Sequence, residues 1–342
     1  MSAQVAELPY VTAKSLRVLG KIRTLPEDFQ VDEVAAYPPA GHGSHLFVRF
    51  EKRNLTTREA VGRIAAALQV NPRDAGVAGQ KDKHALTTQW ASFPGATRER
   101  ALGLSLEAIR VLDAAPHPHK LRTGHVRANR FVLLIRGATA EAEARELAAD
   151  LSRVGVPNYY GEQRFGAGER NVARAHAMLR GENIPRDHFE RKLLMSALQS
   201  ALFNDWLAAR IDDGLYDKPI TGDVLRKEDS GGLFTTDDDQ DAHRRMEAWE
   251  ISPTGPMFGV KMRRAEGAAG SREQTILERS GVDMDMLARG AKYGEGTRRV
   301  ARVPLRECEI RLEPEGMRLA FELPSGAYAT AVLRELMKPH VT

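Results

Sequence analysis

The sequence has few of the residue groups on which common metal and cofactor sites depend. Among its 342 residues there is one cysteine, Cys308, which rules out an internal disulfide and disfavours a thiolate metal site. No phosphate-binding P-loop pattern is present, and "GHGSHL" (41–46) lacks the last glycine of a dinucleotide-binding loop. The ten histidines show no H-E-x-x-H spacing. We therefore predict a protein that uses no cofactor and no metal.

Long apolar segments are missing as well. No stretch approaches the ~20 continuous apolar residues that a membrane-spanning helix requires. The first residues lack the basic flank and the apolar run of a signal peptide. Together with the single thiol, these absences predict a soluble cytoplasmic protein that does not associate with membranes. Since no coiled-coil pattern suggests an obligate protein partner, we expect a monomer.

Charge is nearly balanced in total but uneven along the chain. The 50 basic and 46 acidic side chains give a net charge of +4, which permits a polyanionic partner without requiring one. One segment, "PHPHKLRTGHVRANRF" (116–131), contains four Lys or Arg residues, no acid, and an aromatic residue at its end. A solvated loop would explain it, but a basic strip with an aromatic ring is also how proteins hold single-stranded or extruded nucleotides.

Strand and helix patterns alternate through the first 155 residues. Residues 45–53 ("HLFVRFEKR") alternate with the period of a half-buried strand. Thr56 and Glu59 form a capping-box pattern that begins a helix. Further strands are predicted at 28–34 and 129–137, and a further helix at 139–154. This order predicts an α+β fold with a mixed or antiparallel central sheet.

The composition changes after residue 155. Helical patterns dominate residues 170–210, polar irregular segments follow, and strand patterns return beyond residue 303. We therefore predict one split domain, made of residues 1–155 and 304–342, which is interrupted by a helix-rich insertion at residues 156–303.

The segment "AGQKDKHALTTQW" (78–90) places a carboxylate, Asp82, between two lysines at the end of a short strand pattern. Most such arrangements are surface ion pairs of small energetic value. Here the threonines and the glutamine of "LTTQ" add hydrogen-bond donors, which we expect around the carboxylate. Donors and cations keep a carboxylate ionised and fix its direction, which suits a nucleophile or base better than a general acid.

Seven segments resemble the TruD family of tRNA pseudouridine synthases, and they occur in the same order as in that family. They are "PEDFQVDE" (26–33), "AGQKDKHALTTQW" (78–90), "ANRFVLLIRG" (128–137), "VPNYYGEQRFG" (156–166), "SALQSALFN" (196–204), "SPTGPMFG" (252–259) and "LPSGAYATAVLREL" (323–336). The resemblance implies a pseudouridine synthase fold, in which the split domain is catalytic and the insertion is the family's own. It also implies an isomerase, an intramolecular transferase, that converts uridine 13 of tRNA to pseudouridine.

The same resemblance implies roles for individual residues. Asp82 matches the catalytic aspartate, and Arg23 stands where the family has a basic ion-pair partner for it, with Lys21 as the alternative. Phe131 matches the aromatic residue beside the target base, and Asn129 matches a nearby asparagine.

Basic residues are expected to contact the tRNA backbone along a cleft between the catalytic core and the insertion. Those predicted to do so are Lys81, His84, Lys120, Arg122, Arg127, Arg130, Arg164 and Arg170.

Pseudouridine formation fits a chain without cofactor motifs. The N1–C1′ bond breaks, the base turns, and C5 bonds to C1′, so no redox equivalent is consumed. Asp82 would either attack C1′ or remove the proton at C2′, and the sequence leaves both routes open. Two other functions remain as alternatives: a non-catalytic RNA-binding protein, which would be indifferent to the loss of Asp82, and an RNA N-glycosidase-type hydrolase, which would release free uracil.

Overall fold

A computed structural model describes residues 8–166, 168, 170–237 and 239–338. The chain divides into two compact units. The first comprises the residues up to Lys14, Asp150–Val303 and Thr330–Glu335. The second, which we call the sheet unit, comprises Ser15–Ala149, Pro304–Ala329 and the residues from Leu336 onward. The predicted domain boundaries at residues 155 and 303 stay a prediction.

The strands and helices follow one another through both units. The strands are β1 (Phe29–Ala35), β2 (His45–Arg53), β3 (Gly76–Val77), β4 (Leu86–Pro94), β5 (Ile109–His117), β6 (Val126–Arg136), β7 (Val156–Pro157), β8 (Val224–Lys227), β9 (Leu233–Thr235), β10 (Ile251–Met257), β11 (Thr297–Val300), β12 (Arg302–Val303), β13 (Arg306–Glu313) and β14 (Gly316–Pro324). The helices are α1 (Thr57–Leu68), α2 (Arg98–Leu102), α3 (Glu141–Val154), α4 (Arg170–Leu179), α5 (His188–Asp212), α6 (Asp239–Glu247), α7 (Gly267–Ser280), α8 (Met284–Arg289) and α9 (Ala329–Met337). Within the described ranges, none of these helices combines the length and the hydropathy needed to cross a bilayer.

The sheet unit is built on one large mixed sheet. Its strand order is β13-β14-β6-β1-β4-β2-β5, and β3 pairs with β4. Strands β1 and β4 run parallel, while the other neighbours are antiparallel. The prediction of an α+β fold with a mixed sheet is therefore confirmed.

Helix α1 covers one face of this sheet. It begins as predicted, because the Thr56 hydroxyl accepts a hydrogen bond from the Glu59 amide and the Glu59 carboxylate accepts one from the Thr56 amide. Its apolar stripe packs against the side chains of β2 that share one face of the strand: Leu46, Val48 and Phe50. The alternation of β2 therefore decides which of its residues are enclosed beneath α1.

The first unit is rich in helices, as expected, but also contains a sheet that the sequence analysis did not predict. Helices α4, α5, α7 and α8 contribute to one apolar core. Strands β11, β10, β8 and β9 form a four-stranded sheet in that order. Strands β8 and β9 lie in a region that the sequence analysis described as irregular. Strands of three or four residues are too short for alternation to be recognised in a sequence.

Shortening Ile64 is expected to destabilise the sheet unit. Ile64 is fully buried beneath the sheet, so Ile64→Ala should lower the free energy of unfolding by about 2–5 kcal/mol. Urea denaturation followed by circular dichroism would measure this loss. Arg63→Ala, on the exposed side of the same helix, is the matched control and should change stability by no more than ~0.5 kcal/mol. Equal losses in the two variants would contradict the packing described for α1.

Candidate active site

The loop of residues 78–85, which we call the Asp82 loop, joins β3 to β4 and carries an exposed carboxylate. The Asp82 side chain is 59% exposed. Its Oδ2 accepts a hydrogen bond from Arg23 Nη2 at 3.3 Å. Among the residues that the structure describes, this is the one ion pair of Asp82. Of the two cations considered as its partner, the structure therefore favours Arg23. Lys21 instead bridges to Arg136 through main-chain hydrogen bonds, and its side chain is exposed.

Arg23 is held in an uncommon backbone conformation. Its φ of 55° lies in the left-handed region, which a long side chain adopts at a cost of roughly 1–3 kcal/mol. The guanidinium carbon lies 4.3 Å from the centroid of the Phe29 ring, within the range of a cation–π contact. Strain of this kind tends to persist at functional sites, which fits a functional role for Arg23 beside Asp82.

Phe131 belongs to a row of aromatic side chains on neighbouring strands. Its ring stacks on Phe321 with centroids 5.5 Å apart, and meets Phe29 edge-to-face at 6.3 Å. Phe131 is 6% exposed, so its ring forms part of a packed wall and little of its face is open. The predicted contact of Phe131 with a base stays a prediction.

Lys81 belongs to the Asp82 loop, and its side chain is buried. Its side chain is 7% exposed, and Nζ lies 2.7 Å from Glu33 Oε2. The other Glu33 oxygen accepts a hydrogen bond from the Trp90 amide at 3.1 Å, and the Lys81 amide donates to Thr57 Oγ1 at 2.9 Å. This burial does not support the predicted contact of Lys81 with RNA, because its charge is already paired. We propose instead that Lys81 anchors the loop.

The ring of donors expected from "LTTQ" does not form around the Asp82 carboxylate. Gln89 Oε1 accepts a hydrogen bond from Thr57 Oγ1 at 2.9 Å, and both Thr87 and Gln89 are fully buried. The alternation of β4 directs these two side chains to the enclosed face of the sheet, while the loop carries Asp82 to the surface.

Several polar atoms around this site are buried without a hydrogen-bond partner in the protein. Among the described residues they include Arg23 Nε, Thr87 Oγ1, Gln89 Nε2 and Asn129 Oδ1. An unpaired buried group costs about 1–3 kcal/mol, and native proteins contain few of them. Asn129 lies opposite Glu33 in the register between β6 and β1, two residues from Phe131. Its carbonyl oxygen therefore has unused hydrogen-bonding capacity.

Lys52 is not among the site residues expected from the sequence. Its side chain is fully buried, and Nζ donates to the main-chain oxygens of Asp82 at 2.8 Å and of Leu55 at 2.6 Å. Burial lowers the pKa of Lys52 to about 8. A signal was present in the sequence, because the alternation of β2 places Lys52 on the same face as Phe50, where a charged side chain must be enclosed.

The basic strip lies in the sheet unit, and most of its cations are accessible. Arg122, Arg127 and Arg130 are exposed, and Lys120 is half-buried with Nζ 3.2 Å from a main-chain oxygen. The Arg127 guanidinium also lies 3.5 Å from a carboxylate oxygen of Glu322. The accessible positive charge predicted for this strip is therefore present, while its contact with RNA stays a prediction.

The remaining predicted contacts are distributed over both units. His84 is exposed in the Asp82 loop. Arg164 and Arg170 belong to the first unit, where Arg164 donates to Ser196 Oγ at 2.6 Å and Arg170 opens α4 at an exposed position. In the described parts of the chain, no three His, Cys, Asp or Glu side chains lie where they could hold a metal ion.

Comparisons with known proteins identify the family. The family model for tRNA pseudouridine synthase D (TruD) matches residues 6–190 and 187–336. The chain is 51% identical to the tRNA pseudouridine synthase D of Anaeromyxobacter dehalogenans strain 2CP-1, over 98% of this chain and 97% of that protein. It is 44% identical to the tRNA pseudouridine synthase D of Thermus thermophilus, over 96% of this chain and 92% of that protein.

A solved structure extends the likeness to the fold. The crystal structure of a Methanosarcina mazei protein bearing the name tRNA pseudouridine synthase D (TruD) is 22% identical and matches with a TM-score of 0.81, over 99% of this chain and 98% of that one. At this identity the likeness concerns the fold, and it confirms the predicted pseudouridine synthase fold. The family match and the close relatives confirm the resemblance seen in the seven motifs: the chain belongs to the tRNA pseudouridine synthase D (TruD) family.

Proposed function

We propose that this protein isomerises uridine 13 of tRNA to pseudouridine, and that Asp82 is the residue that acts on the sugar. The observation that carries the proposal is the Arg23–Asp82 pair, an exposed carboxylate fixed at 3.3 Å by a constrained cation. Membership of the TruD family supports the reaction class. The position in tRNA comes from the family resemblance of the motifs.

The geometry of Asp82 suits a group that reacts with a nucleoside. Oδ2 is hydrogen-bonded to Arg23, and Oδ1 has no hydrogen-bond partner among the described residues. A charge-assisted contact on one oxygen keeps the carboxylate ionised and directed. The second oxygen is then free to approach the ribose of an extruded uridine.

The surroundings of the pair suit a uracil ring. Extruding the nucleotide from its stack costs a few kcal/mol, which contacts between the base and the site must offset. We propose that the wall of Phe29 and Phe131 lines the base site, and that Asn129 Oδ1 accepts a hydrogen bond from uracil N3–H. Nearby donors such as Arg23 Nε would stabilise the negative charge that develops on the uracil oxygens as the glycosidic bond breaks.

Two routes lead to the same product. In one, an Asp82 oxygen attacks C1′ and forms an ester to the sugar as uracil leaves. In the other, Asp82 removes the proton at C2′, and uracil leaves to give a glycal. In both, the uracil anion turns and C5 bonds to C1′. In the first route the ester bond breaks and frees the Asp82 carboxylate, and in the second Asp82 returns its proton to C2′. A base then takes the proton from C5. The Asp82 carboxylate could act as this base, and loss of the C5 proton reports the complete reaction.

Replacing Asp82 by asparagine should abolish the reaction without abolishing tRNA binding. With tRNA tritiated at uridine C5, the wild type should release tritium while no free uracil appears, and Asp82→Asn should release none above background. Asp113→Asn, which changes another exposed acid of the sheet unit, is the control and should leave the rate unchanged. Free uracil would indicate a hydrolase, and binding with no tritium release by the wild type would indicate a non-catalytic RNA-binding protein.

Replacing Arg122 and Arg130 by alanine together should weaken the dependence of tRNA affinity on salt. Each phosphate contact contributes ~0.7–0.9 to the slope of log affinity against log salt concentration. If each arginine meets one phosphate, the slope should fall by about 1.5 in the double variant. Filter binding at several salt concentrations would measure it. The double variant Arg110→Ala, Arg311→Ala removes two exposed arginines elsewhere in the sheet unit, and its slope should match that of the wild type. An unchanged slope in the first double variant would exclude the strip from the tRNA contact.

A further inference from the structure

We propose that Lys52 is a positioning residue for catalysis, whose buried ammonium group fixes the main chain at Asp82 and thereby the place of the reacting carboxylate. The inference rests on the proposed role of Asp82 and adds a residue that the sequence motifs do not contain.

The geometry links Lys52 directly to the reacting residue. Lys52 Nζ donates to the main-chain oxygen of Asp82 at 2.8 Å and to that of Leu55 at 2.6 Å. Leu55 lies just before α1, so one ammonium group ties the Asp82 loop to the segment that leads into this helix. Asp82 is consequently held from two sides, with its carbonyl bound to Lys52 and its carboxylate bound to Arg23.

The cost of burying Lys52 indicates that the charge has a specific use. Lys52 shares a strand face with Val48 and Phe50, which pack under α1, and an apolar side chain would fill that face without desolvating a charge. Among the described residues, the main-chain oxygens of Leu55 and Asp82 are the acceptors for the hydrogen bonds of its ammonium group. Charge-assisted hydrogen bonds of this kind are roughly twice as strong as neutral ones. The ammonium group therefore restrains the loop more tightly than a neutral donor would.

The charged groups around Lys52 come from the two elements that pack against it. Asp82 in the loop and Glu59 on α1 favour the charged form, whereas burial, which has the largest effect, and Lys81 disfavour it. The net result is a Lys52 pKa of about 8 rather than the usual 10.5. Lys52 therefore carries its charge at neutral pH and loses it as the pH rises above about 8.

The first test compares Lys52→Met with a matched control. A displacement of the reacting group by about 1 Å can cost ~100-fold in rate, so kcat should fall by about that factor. KM for tRNA should stay within about twofold, because the basic strip that is proposed to contact tRNA lies outside the Asp82 loop. Arg53→Met removes the next cation of the same strand, whose ion pair with Glu27 is exposed, and it should keep the wild-type kcat. An unchanged kcat in Lys52→Met, or equal losses in both variants, would overturn the proposal.

The second test measures how kcat depends on pH. A side chain with a merely structural role would not produce the same dependence. In the wild type, kcat should decline as the pH passes about 8, because deprotonation turns two charge-assisted bonds into weaker neutral ones. Lys52→Met should lack this decline. An identical alkaline decline in both proteins would overturn the role of the ammonium group.

The third test is independent of activity. Amide hydrogen exchange should become faster in residues 78–85 of Lys52→Met and stay unchanged in β6. If Lys52→Met fails to fold, Lys52→Gln, which keeps N–H donors without the charge, takes its place with a smaller expected effect on both exchange and kcat. Unchanged exchange in the loop would refute the positioning role even if the wild type proved inactive. An inactive wild type would refute the proposed function while leaving the exchange result to decide the role of Lys52.

Discussion

Two buried ammonium groups beneath one loop give the site its structure. Lys81 is paired with Glu33, and Lys52 is bonded to two main-chain oxygens, so the Asp82 loop is attached to the sheet at consecutive residues. A buried charge that loses its partner is strongly destabilising, which makes these contacts costly to rearrange. The loop can therefore present an exposed carboxylate from a main chain that is fixed from below.

Charges inside and outside the site serve different purposes. The enclosed cations, Lys52 and Lys81, contact the loop and the sheet. The cations of the basic strip are mostly exposed and remain accessible to a polyanion. Arg23 lies between these cases, since it is partly exposed but constrained by its backbone and by the ring of Phe29. The proposed roles of these cations in the reaction and in RNA binding can thus be tested by separate substitutions.

The features predicted correctly from the sequence were those with local patterns. Strand β2 and the capping box of α1 depend on neighbouring residues. Arg23 and Asp82 are 59 residues apart, and their pairing was expected from a family resemblance rather than from a local pattern. The donors expected from Thr87 and Gln89 were wrong, because adjacency in the sequence does not decide which face of a strand a side chain occupies. Lys52 is 30 residues from Asp82 in the sequence, and its contact appears only when the sheet and the loop are assembled.

The order of strands in the sheet has a consequence for synthesis on the ribosome. Strand β6 pairs with β14, and β14 pairs with β13. Strands β13 and β14 are both translated after the whole of residues 150–303. Until they emerge, one edge of β6 in the nascent polypeptide presents open main-chain groups and the apolar run "FVLLI". Such an edge is prone to pairing with other chains, so we expect the growing protein to need chaperone protection during this interval of translation.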